Sequence, residues 1–318
     1  MHRLYSIFIF FAFFCNISHS QNSLKIDFEF VNFGDDNNDH RKKYQSILKH
    51  KKSYFISTEI PEANSSKKDS NGVIIEYKNI EKFTNEYVFS KNTKLNSPKG
   101  MCIVKEALFI ADIDRLVIFD IETGNFKYQI NFSNHSQSIY DLAKINDSTI
   151  IISAIDKGVL FELNINTQEV CELGIQKIPG ITALYYENYD SLLYCGSIGD
   201  KKTNGQILKI DLKSGKCTVL NKDAGRCYGI LKFKNYLIYT TWDEGSDIPN
   251  LYTLPIGSSK ASSWEMPEGT WAKNWGNKPH MRQPCIFVIS KESKHSADIY
   301  IPDNKMGVIY QVNIEEVK

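Results

Sequence analysis

The chain alternates short apolar runs with polar or glycine breaks, and no run reaches the length that a helix needs. Residues 97–124, SPKGMCIVKEALFIADIDRLVIFDIETG, show this arrangement best. A Pro/Gly turn precedes the apolar residues 101–104, a second run covers 107–111, and a third covers 116–120 before Glu122-Thr123-Gly124. Runs of this length between such breaks are typical of strands joined by tight turns. The pattern predicts an up-and-down antiparallel sheet.

The same pattern recurs along the chain from residue 54 onward. In each copy the second apolar run ends in two large residues and then a small or turn-compatible one, namely Ser57, Ala111, Ser153, Gly196, Thr240 and Pro302. The central copies are 42, 43 and 44 residues apart. A period of roughly 40–50 residues built from short strands is typical of propeller blades. The sequence therefore predicts an all-β fold, a six-bladed β-propeller of four-stranded antiparallel blades.

The N-terminal residues differ from the repeats. Residues 21–33, QNSLKIDFEFVNF, alternate apolar and polar positions as a half-buried strand does, and a polar stretch follows. We expect this strand to complete the last blade and close the ring. Residues 1–20 combine a weakly basic start, an apolar run and the small residues Ser18 and Ser20, which is typical of a secretory signal peptide. The predicted organisation is a signal peptide (1–20), a closing strand with a polar linker (21–43) and a propeller (44–318).

The near-equal numbers of basic and acidic residues bear on which classes of partner the chain can bind. The chain has 38 basic and 37 acidic residues, so electrostatics gives no case for binding nucleic acid or an anionic membrane. No segment after the leader is apolar enough to span a bilayer. We therefore expect a secreted protein, extracellular or periplasmic, whose partner is a small molecule or an extracellular protein.

An acidic residue follows the second strand of each repeat. These residues are Glu59, Asp112, Asp156, Asp200, Asp243 and Asp303. They could gather at one end of the channel and attract a cation, which makes Asp112, Asp156, Asp243 and Asp303 candidate metal ligands. They could instead accept hydrogen bonds from turn amides, and their recurrence with the repeat favours this alternative. Asp141 differs from them because it falls on a predicted inner strand, where a charge is costly without a partner. Two interpretations of Asp141 stay open, a functional residue and an aspartate whose hydrogen bonds are satisfied in the core.

An insertion of about twenty residues lengthens the last repeat. Residues 264–284 contain three of the four tryptophans of the chain, and long loops in compact folds are often functional. The candidate binding residues are Trp271, Trp275, His280 and Arg282 in this insertion, together with Trp242 beside an acid-rich loop. Tryptophan and arginine dominate binding surfaces. The alternative is a loop folded over the channel as a plug.

The segments SPKGM, LFIADIDR and DIETG resemble the six-bladed propellers of the SMP-30/gluconolactonase/LRE-like group, which overlaps in pattern with NHL-repeat proteins. The resemblance implies one divalent cation at the channel mouth, held by a glutamate and by asparagine and aspartate residues. Calcium, magnesium, manganese and zinc all remain open. Of the implied ligands Asp141 is present, whereas Arg226-Cys227-Tyr228 stands where the aspartate of the fifth blade is expected.

Two functional hypotheses follow. The first is a secreted propeller that binds a small molecule or a protein partner at one face, without strong catalysis. The second is a lactone or ester hydrolase that depends on a divalent metal, with an altered metal site and Asp141 as the candidate catalytic residue. The sequence establishes no cofactor, and a divalent cation (calcium, magnesium, manganese or zinc) is the one that the candidate ligands leave open. The chain has no G-x-S-x-G, H-E-x-x-H or phosphate-binding glycine motif.

Overall fold

The computed structural model describes residues 23–31, 43–59, 68–79, 84–89, 93–242, 251–264, 281, 283–305 and 307–317. Within these ranges the regular structure consists of 24 strands. No helix in this part of the chain is long and apolar enough to cross a membrane. The predicted signal peptide and most of the tryptophan insertion lie outside the described residues.

The strands fall into six sheets, which we number as blades along the chain. Blade 1 contains β2 (Lys43–His50), β3 (Ser53–Glu59), β4 (Gly72–Asn79) and β5 (Thr84–Val88). Blade 2 contains β6 (Pro98–Val104), β7 (Ala107–Asp112), β8 (Arg115–Asp120) and β9 (Phe126–Asn131). Blade 3 contains β10 (Ile139–Lys144), β11 (Thr149–Ala154), β12 (Val159–Asn164) and β13 (Glu169–Glu172). Blade 4 contains β14 (Ile181–Glu187), β15 (Leu192–Ser197), β16 (Ile207–Asp211) and β17 (Cys217–Asn221). Blade 5 contains β18 (Cys227–Phe233), β19 (Tyr236–Thr241), β20 (Leu251–Pro255) and β21 (Ser262–Trp264). Blade 6 contains β22 (Val288–Glu292), β23 (Ser296–Asp303), β24 (Val308–Val317) and β1 (Ser23–Val31).

Every blade is a four-stranded antiparallel sheet, and five of them use consecutive strands. The sixth has the order β1-β24-β23-β22, so the N-terminal strand pairs with the C-terminal one. Their register runs from Ser23 opposite Val317 to Val31 opposite Ile309. The prediction of a six-bladed propeller closed by an N-terminal strand is confirmed. Because β1 and β24 belong to the same sheet, their pairing closes the ring of blades.

The apolar runs of the sequence become the second strands because these strands are covered on both faces. In β7 every residue from Leu108 to Asp112 is buried, whereas the outer strand β9 is mostly exposed. The buried apolar residues form six clusters, one between each pair of neighbouring blades. The cluster that joins blade 6 to blade 1 packs Tyr300 and Ile309 with Tyr44 and Ile56. Burial between blades therefore holds the ring together.

The small residue that recurs at the end of the second strand faces the first strand of the next blade. The Ser57 and Ser153 hydroxyls donate to the carbonyl oxygens of Lys99 and Thr182 at 3.0 and 2.7 Å. At Gly196 an added Cβ would lie 2.3 Å from the Cys227 sulfur. A larger side chain at this position would push neighbouring blades apart, which explains the repeat of two large residues and a small one.

Candidate functional site

We call the face where the first strands of the blades begin the upper face, and the opposite one the lower face. In blades 1 to 5 the first strand shows a register shift against the second strand near this face. In blade 3 the shift lies between Ile139 and Leu142, and in blade 5 between Cys227 and Gly229. Such bulges break the alternation of side chains and re-aim them. Tyr140, Asp141 and Tyr228 lie at these bulges.

The recurring acids that lie within the described residues are also at the upper face, where the second strands end. The Asp112 carboxylate accepts the backbone N–H groups of Asn96 and Ser97 at 2.9 and 2.7 Å. Its other oxygen accepts from Arg115 Nη2 at 2.8 Å. Asn96 and Ser97 lead into β6, so Asp112 fastens the segment that enters its own blade.

Asp156 and Asp303 make equivalent contacts in their own blades. Asp156 accepts from the Gln137 N–H at 2.9 Å, and Asp303 accepts from the N–H groups of Gln283 and Lys305 at 3.2 and 3.0 Å. These are the contacts that the turn-amide alternative predicts. In the described ranges no group of three or more His, Cys, Asp and Glu side chains could hold a metal ion. Asp243 lies outside those ranges.

A buried ion pair joins blades 1 and 2 at the same face. Lys99 Nζ donates to Glu59 Oε1 at 2.6 Å, and the Ser97 hydroxyl donates to the same oxygen. The Glu59 and Lys99 residues are only 1% and 9% exposed. The sequence analysis placed Glu59 among the recurring acids and did not assign Lys99 a role. The sequence feature that could have indicated this ion pair is a lysine at the start of an otherwise apolar first strand.

Asp141 is buried in β10 and joins blade 3 to blade 4. Its two oxygens accept the N–H groups of Leu142 and Leu184, each at 2.8 Å. Burial raises the pKa of Asp141 to about 7, although both hydrogen bonds act to lower it. Among the described residues Asp141 belongs to no group of three or more His, Cys, Asp and Glu side chains that could hold a metal ion, so this arrangement does not fit the implied divalent cation. A buried carboxyl group of raised pKa is nevertheless a recognised mark of a functional site.

The titration of Asp141 predicts a pH-dependent stability. Its pKa in the folded state lies above its ordinary value, so the folded state holds the proton more tightly. This stabilisation is complete below about pH 4 and is lost as the pH rises to about 7. The free energy of unfolding of the wild-type protein, relative to Asp141→Asn, should fall by roughly 4 kcal/mol over that interval. Urea unfolding of both proteins at several pH values measures it, with the exposed Asp190→Asn as control; a difference that stays constant with pH would contradict the prediction.

Aromatic side chains meet across the channel at the upper face. The Tyr140 and Tyr228 rings, from blades 3 and 5, have centroids 6.0 Å apart although blade 4 separates these blades along the chain. The centroid of the Tyr228 ring also lies 5.3 Å from the centroid of the Trp242 ring. Burial raises the pKa of Tyr140 well above its ordinary value, so this phenol stays neutral. The two tyrosines thus form an apolar floor with a tryptophan at its side.

Arg226 completes this group. Its guanidinium carbon lies 5.4 Å from the centroid of the Trp242 ring, and Nη2 donates to the Tyr228 hydroxyl at 3.2 Å. The side chain is half-buried and, among the described residues, forms no ion pair with an acid. We call Tyr140, Arg226, Tyr228 and Trp242 the mouth cluster. It presents three aromatic rings and one cation that forms no ion pair with an acid among the described residues.

Trp242, a binding residue predicted from the sequence, lies in the mouth cluster. Arg226 and Tyr228 were considered only as part of the segment that stands where a metal ligand is expected, and Tyr140 was not assigned a role. Their proximity depends on contacts between distant blades, which no local pattern could reveal. Trp271, Trp275, His280 and Arg282 lie outside the described residues and stay predictions.

No protein-family model matches the chain, and no curated protein is similar to it in sequence. The fold is similar to several solved structures. One is described as an auxiliary nutrient binding protein from Bacteroides thetaiotaomicron, with a TM-score of 0.62, 11% identity and coverage of 93% of this chain and 78% of that one. Another, from the same organism and of unknown function, has a TM-score of 0.61 and 13% identity over 92% of this chain and 77% of that one.

A third similar structure is the extracellular domain of a putative one-component system from Bacteroides thetaiotaomicron. The match covers 91% of this chain at 9% identity with a TM-score of 0.57. The chain spans only 40% of that longer protein. At these identities the similarity shows the fold alone, so the chain belongs with six-bladed propellers by its architecture.

Proposed function

We propose that this protein is a secreted ligand-binding propeller whose site is the mouth cluster, and that the ligand is a small ring-shaped molecule with a carboxylate. The observation that supports it most is the half-buried Arg226, which lies against Trp242 without an acidic partner among the described residues. A half-buried guanidinium that solvent still reaches can form charge-assisted hydrogen bonds with an anionic ligand. No strong catalysis is proposed.

The chemistry of the cluster selects this class of ligand. A guanidinium is planar and presents paired N–H donors that match both oxygens of a carboxylate. Tyrosine and tryptophan rings offer flat apolar faces on which sugar rings or other flat molecules can stack. The printed description of one similar structure, an auxiliary nutrient binding protein, is compatible with such a role. Another similar structure is an extracellular domain, which agrees with the proposed secretion.

Arg226→Gln is expected to weaken binding of uronic acids at least tenfold and to leave the binding of matching neutral sugars almost unchanged. The reason is the loss of a charge-assisted hydrogen bond, worth about 1.5–3 kcal/mol. Trp242→Ala should weaken both classes because it removes the stacking face. Isothermal titration calorimetry of the wild-type protein and the variants, with uronic acids and their neutral counterparts, measures these changes in affinity.

The control for charge is Lys213→Gln, which removes one positive charge from an exposed turn of blade 4. It should leave the affinities unchanged. Equal loss of acidic and neutral ligands in Arg226→Gln would contradict the assigned role of the guanidinium. Trp271, Trp275, His280 and Arg282 remain sequence-based candidates for the surface around the site, including for a protein partner.

A metal-dependent hydrolase is the second candidate function, after ligand binding. The raised pKa of the buried Asp141 favours it, whereas the described residues contain no group of three or more His, Cys, Asp and Glu side chains that could hold the metal. The finer resemblance to SMP-30/gluconolactonase enzymes therefore stays a hypothesis. Turnover of a lactone panel that requires calcium, magnesium, manganese or zinc, and that disappears in Asp141→Asn, would put the hydrolase first.

A further inference from the structure

The lower face carries a cleft between blades 1, 2 and 3. Its volume is about 470 Å³, within the size range of small-molecule sites. The ends of the first strands β2, β6 and β10 and the turns after them line it. It is therefore separated from the mouth cluster by the length of the first strands.

Positive charge dominates the rim of this cleft. Lys105 and Lys144 are exposed there, and Asp147 is the acid beside them. Lys144 Nζ lies 2.7 Å from Asp147 Oδ1, and it lowers the pKa of Asp147, with a smaller effect from Lys105. Lys105 forms no ion pair or side-chain hydrogen bond within the described ranges. The ammonium of Lys49, which donates to the Ser290 carbonyl, adds a further cation to the lining.

The wall of the cleft is apolar. Leu48 and Ile103, both partly exposed, contribute side chains from the ends of β2 and β6. An apolar wall below a cationic rim suits a molecule with one ionic group and one less polar part. The volume exceeds what a bare inorganic ion needs, since a water-sized molecule occupies about 30 Å³ in the liquid.

We infer that this lower cleft binds a small molecule of monosaccharide size that carries a tetrahedral oxyanion, a phosphate or sulfate monoester. Lys105 and Lys144 contact the oxyanion, and Leu48 and Ile103 contact the remainder of the molecule. Lysine ammonium groups are compact charges that can surround a tetrahedral anion from several sides. This distinguishes the lower cleft from the mouth cluster, where one planar guanidinium suits a carboxylate.

The test is equilibrium titration of the full mature protein with glucose 6-phosphate and glucose 6-sulfate, with inorganic phosphate and glucose as reference ligands. At least one ester should bind more tightly than inorganic phosphate, and glucose should not bind at this cleft. Lys105→Gln and Lys144→Gln should each weaken ester binding about three- to tenfold. Asp147→Asn should strengthen it about two- to fivefold, because it removes the negative charge next to the site.

Both lysines are exposed, so these variants are expected to fold, and circular dichroism verifies it. Lys213→Gln is the matched control and should bind the ester like the wild-type protein. Arg226→Gln should also leave ester binding unchanged, so failure at the mouth cluster and failure at this cleft are distinguishable. Ester affinities that do not exceed that of inorganic phosphate, or that are unchanged in both Lys105→Gln and Lys144→Gln, would overturn the inference.

Discussion

Lys99→Met is expected to lower the free energy of unfolding by about 3–5 kcal/mol, the usual cost of removing one partner from a buried ion pair. Methionine nearly matches the length of the lysine stem but removes the ammonium. Among the described residues Glu59, only 1% exposed, would then keep one neutral donor to its carboxylate, the Ser97 hydroxyl. The uncompensated carboxylate, rather than lost packing, accounts for the effect.

Urea unfolding measures this loss, and the chain offers a matched control. Lys127 lies 3.3 Å from Asp120 in an exposed pair of blade 2, so Lys127→Met should cost less than about 1 kcal/mol. The double variant Glu59→Gln with Lys99→Met removes both charges and should recover much of the loss. Equal destabilisation by Lys99→Met and Lys127→Met would show that the buried pair does not link blades 1 and 2 in the way described.

Gly100→Ala is expected to destabilise the protein by about 3 kcal/mol, the upper end of the usual cost of overpacking. A Cβ at this position would lie 2.3 Å from Asp141 Oδ1 and 2.6 Å from the Asp141 Cα. It would also lie 2.9 Å from the Tyr140 carbonyl oxygen. Two of these atoms belong to the backbone of β10 and cannot rotate away. The methyl group therefore forces blades 2 and 3 apart beside the channel.

The control for this substitution is Gly174→Ala. A Cβ at Gly174 would meet nothing within 4 Å, so alanine there should be neutral or slightly stabilising, by about 0.5 kcal/mol. Thermal unfolding of the two variants gives the comparison. A Gly100→Ala protein as stable as Gly174→Ala would contradict the close approach of β6 to β10.

The sequence was sufficient for the fold because blade formation depends on local patterns. Second strands such as Ala107–Asp112 lie between two blades, so they appear as uninterrupted apolar runs. The alternation in residues 21–33 marked β1 as half-buried, and pairing with β24 confirmed its closing role. The acids Asp112 and Asp156 recur because each fastens the segment that enters its blade, and this contact repeats with the blade.

The site was less predictable because its contacts join residues far apart in the chain. Glu59 and Lys99 are forty residues apart, and Tyr140 meets Tyr228 across the channel. Arg226 was visible only as an unexpected residue at an implied ligand position. No local pattern distinguishes such residues from ordinary strand and turn positions, since their roles depend on how the bulges aim their side chains toward the axis.

The central claim is that the mouth cluster binds a ring-shaped carboxylate through Arg226. The most direct measurement is calorimetric titration of the wild-type protein with two matched pairs, glucuronate against glucose and galacturonate against galactose. We expect at least one acid to bind ten times more tightly than its neutral partner, with the preference weakening as salt rises. Binding that does not distinguish the acid from the neutral sugar in either pair, or no binding by any of the four, would contradict the claim.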